Sequence, residues 1–127
     1  MLSNIDNDTI ARTQSGPLAG VKFDAVYTAE NIGSYKPDLK NFEYLLSGVR
    51  EEFGVEKWQV LHTAQALGAD MVPAKSMGMS AAWIDREGED EKSEELKAKG
   101  KVAFTWRFGT LGEMAEAVEA AFVGKEE

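Results

Sequence analysis

The sequence predicts a single α/β domain, residues 1–127, built on a mainly parallel sheet flanked by helices. Three observations carry that prediction. Short β-branched and aromatic runs alternate with amphipathic stretches, in the order strand, helix, strand, helix. The length, 127 residues, suits one domain with one core. Finally, Ser3-Asn4, Lys36, His62 and Asp70 each follow a strand run. A parallel sheet would bring them to one edge, at the carboxyl ends of its strands, where ligands bind in such folds.

Taken in order, Met1-Leu2 precede Ser3-Asn4-Ile5-Asp6-Asn7-Asp8, which has loop and helix-cap chemistry. A strand ending at Leu2 would be cut almost to its end. Asn7 or Asp8 is expected to cap a short helix through about Thr13, stopped by Ser15-Gly16-Pro17. Phe23–Ala29 is a strand run. Gly33 turns the chain, and Pro37 suits a first helical position with Asp38 toward the positive end of the helix dipole. Leu39, Phe42, Leu45, Leu46 and Val49 form a buried stripe at helical spacing, closed by Gly54.

Trp58–His62 is a short strand followed by Thr63-Ala64-Gln65. Gly68-Ala69-Asp70 opens a helix, with Asp70 as N-cap, Pro73 in the first turn and Gly78 at the end. Ser80–Asp85 is a strand, Glu87 to Lys101 a charged and partly helical surface excursion, and Val102–Trp106 a last strand. Thr110-Leu111-Gly112-Glu113 is a capping box. Leu111, Met114, Ala115, Val118, Ala121 and Phe122 make the apolar face of the terminal helix.

Composition narrows the function. A net charge of -8 argues against nucleic acid, because no basic block could follow a phosphate backbone. No cysteine and one histidine argue against disulfides, thiolate chemistry and a zinc site, and suit a cytoplasmic protein. No run approaches the roughly 20 apolar residues of a membrane span, and Met1-Leu2-Ser3-Asn4 does not begin a signal peptide. No membrane partner is expected.

Each candidate residue has a plain alternative. Lys36, held in a strand-to-helix loop, is a fixed cation beside an anion site or a solvated lysine. Ser3, Asn4 and Asp70 are site residues or helix caps. His62 is a base or a structural donor. Tyr35 packs its ring beside the loop and offers a hydroxyl, and Gln65 offers an amide at a strand end. Met71, Met77 and Met79 fill the core, and Asp6, Asp8 and Glu30 are solvated rather than metal-binding.

Leu2-Ser3-Asn4, then Tyr35-Lys36-Pro37-Asp38 with Phe42, then Asp70-x-x-x-Ala74-x-x-x-Gly78 leading into Trp83-Ile84-Asp85-Arg86, resemble the haloacid dehalogenase-like (HAD) hydrolase superfamily. The likeness is strongest to the type II 2-haloacid dehalogenase branch and covers nearly the whole chain. It implies a HAD-type Rossmann-like core acting on a small anionic substrate. Ser3 and Asn4 would bind the substrate's anionic group, Lys36 would hold the charge of a nucleophilic carboxylate, and Asp70 would be the fourth-motif acid. Covalent catalysis by a carboxylate needs such a cation and such donors.

The resemblance also has gaps. The family's nucleophilic aspartate lies on a strand before the serine, usually followed by a cap domain. Neither corresponds to a stretch of this sequence, which is expected to be the C-terminal half of the core and inactive alone. Phe42 stands where the dehalogenase branch has a tyrosine, and His62-Thr63-Ala64-Gln65 where it has polar Ser-Asn residues. Phosphatase members show paired acids where only Asp70 is present. No cofactor is expected, and magnesium only of a phosphatase-type remnant, which is the alternative reading. The other alternative is a non-catalytic structural domain. Exposed sheet edges near Leu2, Val60 and Leu61 would make a homodimer or higher oligomer.

Overall fold

The computed structural model describes residues 1–87 and 91–126. The chain is α/β, as the alternating runs require. It forms two compact units, Met1–Gln59 and Val60–Glu127. Each unit has its own parallel sheet.

In the first unit, β1 (Leu2–Ser3) pairs with β2 (Tyr27–Thr28), Leu2 opposite Tyr27 and Ser3 opposite Thr28. The helices are α1 (Asn7–Ser15), α2 (Ala29–Ile32) and α3 (Leu39–Phe53). Asp6, rather than Asn7 or Asp8, caps α1. Its carboxylate accepts from Thr9 N and Thr9 Oγ1, both at 2.7 Å. Those bonds, the backbone one foremost, hold the Asp6 carboxyl below its ordinary range.

The expected strand at Phe23–Ala29 is only two residues long, because Thr28 caps α2 by accepting from Asn31 N at 3.1 Å. That cap draws Ala29 into a helical turn. Helix α3 likewise begins later than expected. Asp38 is its N-cap, accepting from Lys40 N at 2.9 Å, so Pro37 precedes the helix instead of opening it. Gly54, at φ 66°, closes it as anticipated. Phe42 and Leu45 are buried, Leu46 and Val49 half-buried, and Leu39 is exposed at the helix start.

In the second unit, β3 (Leu61–Ala64), β4 (Ser80–Ile84) and β5 (Trp106–Phe108) form a sheet in that order, with β4 central. Central placement pairs both edges of β4, and Ala81, Ala82, Trp83 and Ile84 are its buried residues. Its helices are α4 (Val72–Ser76), α5 (Glu91–Ala98) and α6 (Leu111–Glu126). Thus α5 lies in the expected charged excursion, of which residues 88–90 fall outside the described part.

Three expectations shift here. Trp58 is not in a strand. It lies in a 3-10 turn, Lys57–Gln59, wound by Gln59 N donating to Glu56 O and Glu56 N donating to Gln59 Oε1, each at 2.9 Å. The last strand sits later than Val102–Trp106. Its register, Trp83 opposite Arg107, goes with an Arg107–Asp85 ion pair and with the Arg107 guanidinium 4.8 Å over the Trp83 ring. Asp70 does not cap a helix. It lies within a single π-helical turn, Leu67–Met71, ahead of α4, whose start accommodates Pro73.

At α6, Thr110 Oγ1 accepts from Glu113 N at 3.0 Å, and Glu113 reaches past Thr110 to accept from Gly109 N at 2.7 Å. The capping chemistry is as read, with its second bond one residue earlier. The apolar face is largely open to solvent: Leu111 is 63% and Phe122 64% exposed. With Leu61, Trp106 and Phe108, part of that face lines an open apolar groove of about 350 Å³. Met71 and Met79 are buried, as core filling requires. No helix among the described residues is long and apolar enough to cross a membrane.

Gly48 of α3 packs closely against the buried Tyr27 ring. A Cβ there would come within 2.6 Å of Tyr27 Oη and 2.8 Å of Cζ. An aromatic ring cannot bend away, so Gly48→Ala is expected to destabilise the fold by about 1–3 kcal/mol. Urea unfolding would measure it, with Tyr27→Phe in the same background relieving part of the loss. An unchanged midpoint would show that the ring is not so confined.

Candidate functional site

Lys36 occupies a tight turn over Tyr35–Asp38, closed by Asp38 N donating to Tyr35 O at 3.1 Å and containing a cis Lys36-Pro37 peptide. The turn is tied to the rest of its unit at several points. Asn4, directly after β1, accepts from Lys36 N through Oδ1 at 2.7 Å and donates to Lys36 O through Nδ2 at 3.0 Å. Both backbone groups of one residue are thus met by one carboxamide. Asn41, fully buried in the first turn of α3, donates through Nδ2 to Ser34 O at 2.8 Å. The Lys36 ammonium donates to Leu2 O at 3.3 Å. The cation is therefore seated at the end of β1, on the carbonyl that precedes Ser3. Tyr35, at the start of this turn, is 67% exposed.

A second polar cluster fixes the neighbouring backbone. Asn7 donates from its backbone N to Glu30 Oε1 at 3.1 Å, and through Nδ2 to Glu30 Oε2 at 3.0 Å and Asn31 Oδ1 at 2.8 Å. Thr28 Oγ1, almost fully buried, donates to Asn7 Oδ1 at 2.7 Å. This ties the starts of α1 and α2 together beyond the two strands. The three acids near here each have a partner: Asp6 caps α1, Asp8 pairs with Arg12 at 2.9 Å, and Glu30 holds Asn7. Among the described residues no group of three or more His, Cys, Asp or Glu is placed to hold a metal.

The second unit holds its own pair. His62 Nε2 lies 2.9 Å from Asp70 Oδ1, and both residues are buried. With its proton on Nε2, the imidazole donates to a carboxylate that could not be left buried without a hydrogen-bond donor. Gln65 is exposed just past β3, and its carbonyl accepts from Trp83 Nε1 at 3.1 Å.

The seven candidate residues thus fall into two groups. Ser3, Asn4, Tyr35 and Lys36 gather within Met1–Gln59, and His62, Gln65 and Asp70 within Val60–Glu127. Sequence reasoning passed over Asn41 and the Asn7–Thr28–Glu30 cluster. A signal for Asn41 did exist: an asparagine beside Phe42 and four residues before Leu45, on the buried stripe of α3, needs a polar partner inside.

No protein-family model matches the sequence, and no curated protein matches it. Solved structures do. The chain is similar to the HAD-hydrolase YfnB from Bacillus subtilis, with a TM-score of 0.71 and 18% identity, over 91% of this chain and 46% of that one. It is similar to the L-2-haloacid dehalogenase from Xanthobacter autotrophicus, at 0.68 and 20%, over 93% and 53%. A HAD phosphatase from Thermococcus onnurineus matches at 0.63 and 26%, over 90% and 46%. The fold is that of the HAD-like hydrolases, and the chain spans about half the length of these structures.

Proposed function

We propose that this chain carries the anion-holding part of a HAD-type hydrolase site, acting on a small anionic substrate through a carboxylate nucleophile that is none of the 127 residues here. The supporting observation is the seating of the Lys36 ammonium on Leu2 O, beside Ser3 at the end of β1. A fixed ammonium and a hydroxyl are the donors needed where negative charge develops in a carboxylate-mediated displacement. Asp70, already engaged by His62, takes the place of the family's fourth-motif acid. The dehalogenase-like reading rests on the residue pattern of Ser3-Asn4 and Lys36, and a phosphatase-type hydrolase is its alternative.

The 127-residue chain alone is expected not to turn over 2-chloropropionate or an aryl phosphate, since a covalent mechanism without its nucleophile loses most of its rate. Turnover that vanished in Lys36→Ala would overturn this. Binding is expected to persist: sulfate should raise the melting temperature of the parent chain but not of Lys36→Met, by mass action on the native state. Equal stabilisation of both proteins would reduce the effect to general salting and remove the anion role from Lys36.

A second reading, self-association, is favoured by the groove between the sheet and α6. Trp106 and Phe122 are each more than half exposed there, and Leu61 and Val118 are exposed beside them. With the flanking Leu111, such side chains offer on the order of 500 Å² per copy, so two copies would reach the roughly 1,000 Å² a specific interface requires. The occupant we assign is a second copy of this chain. Light scattering behind a sizing column should give twice the monomer mass, more completely at high salt because each copy carries a charge of -8. Phe122→Glu should yield a monomer. A parent chain that stays monomeric at micromolar concentration in high salt would rule the interface out.

A further inference from the structure

We infer that Asn4 is a positioning residue that acts on the anion only through Lys36. This rests on the reading of Lys36 as the anion's cation. In the family resemblance, Asn4 stands among the substrate-binding residues, yet its carboxamide is turned to the lysine's own backbone. Oδ1 takes the Lys36 N–H at 2.7 Å, and Nδ2 gives a proton to Lys36 O at 3.0 Å.

The residue type matters. An asparagine has an acceptor and a donor side by side, which matches the N–H and C=O of a single residue. Aspartate would keep the acceptor and lose the donor. The two bonds span 32 residues of sequence and tie the end of β1 to the lysine turn. With Asn41 holding Ser34 O from the other end, Lys36 has little backbone freedom left to lose when an anion arrives. Releasing Asn4 would leave the lysine present and charged but unordered, and the anion would meet the cost of ordering it.

A double-mutant cycle tests this, with inorganic phosphate as the probe and affinity read from NMR titration. Asn4→Ala should weaken phosphate binding roughly tenfold, the equivalent of two lost hydrogen bonds. In a Lys36→Met background the same change should cost nothing further. Equal losses in both backgrounds would mean that Asn4 touches the anion itself, and would overturn the proposal. Amide hydrogen exchange supplies a readout that needs no ligand. The Lys36 amide should be protected in the parent chain, unprotected in Asn4→Ala, and still protected in Asn4→Asp, which keeps the acceptor. A parent chain that binds no phosphate but protects this amide would sink the anion reading while leaving the clamp in place. An unprotected Lys36 amide in the parent chain would sink the clamp.

Discussion

Very short parallel strands cannot meet their own backbone hydrogen bonds, and much of the first unit follows from that. Two residues of β1 against two of β2 make a ladder of a few bonds, and the chain beyond each strand must find partners elsewhere. Side-chain amides supply them. Asn4 meets the backbone of Lys36, Asn41 meets Ser34, and Asn7 joins Glu30, Asn31 and Thr28. The polar groups that complete this backbone also shape the lysine turn, so the stability of β1 and the placement of Lys36 are one problem.

The second unit solves the same problem with length and aromatic packing. β4 is long enough to pair on both sides, and its Trp83 serves three neighbours at once. The ring lies 5.3 Å from that of Phe104, and Lys97 and Arg107 sit over it at 4.9 and 4.8 Å. Its Nε1 meanwhile holds the backbone of Gln65 at the end of β3. One side chain in the middle strand thus connects the charged helix, the last strand and the loop leading to Asp70. Apolar cover runs out at α6, whose stripe faces an open groove instead of a filled core.

The two candidate groups show different electrostatic solutions. The Lys36 ammonium is half-buried and donates to a backbone carbonyl, which helps to order it. Asp70 is buried and lies against an imidazole, which allows a carboxylate to sit inside the protein. Both groups are thus held by partners within their own unit, the ammonium by a backbone carbonyl and the carboxylate by a ring nitrogen.

The sequence by itself determined the alternation of strands and helices, the C-terminal closure of α3 at Gly54, the cap of α6 and the strand-to-helix loop that carries Lys36. Those features depend on residues within a few positions of one another: Gly54 with Arg50, Thr110 with Glu113. Its residue pattern also carried the likeness to the hydrolase fold. Tertiary structure alone decided the rest. Nothing local shows that Asn4 would choose Lys36, 32 residues away, over a ligand or its own helix. Neither the register of β5, set with Asp85 across the sheet, nor the pairing of Asp70 with His62 is a property of either segment alone. The exposed stripe of α6 makes the same point from the apolar side. Periodicity tells which residues share a face, but burial depends on whether another surface arrives to cover it.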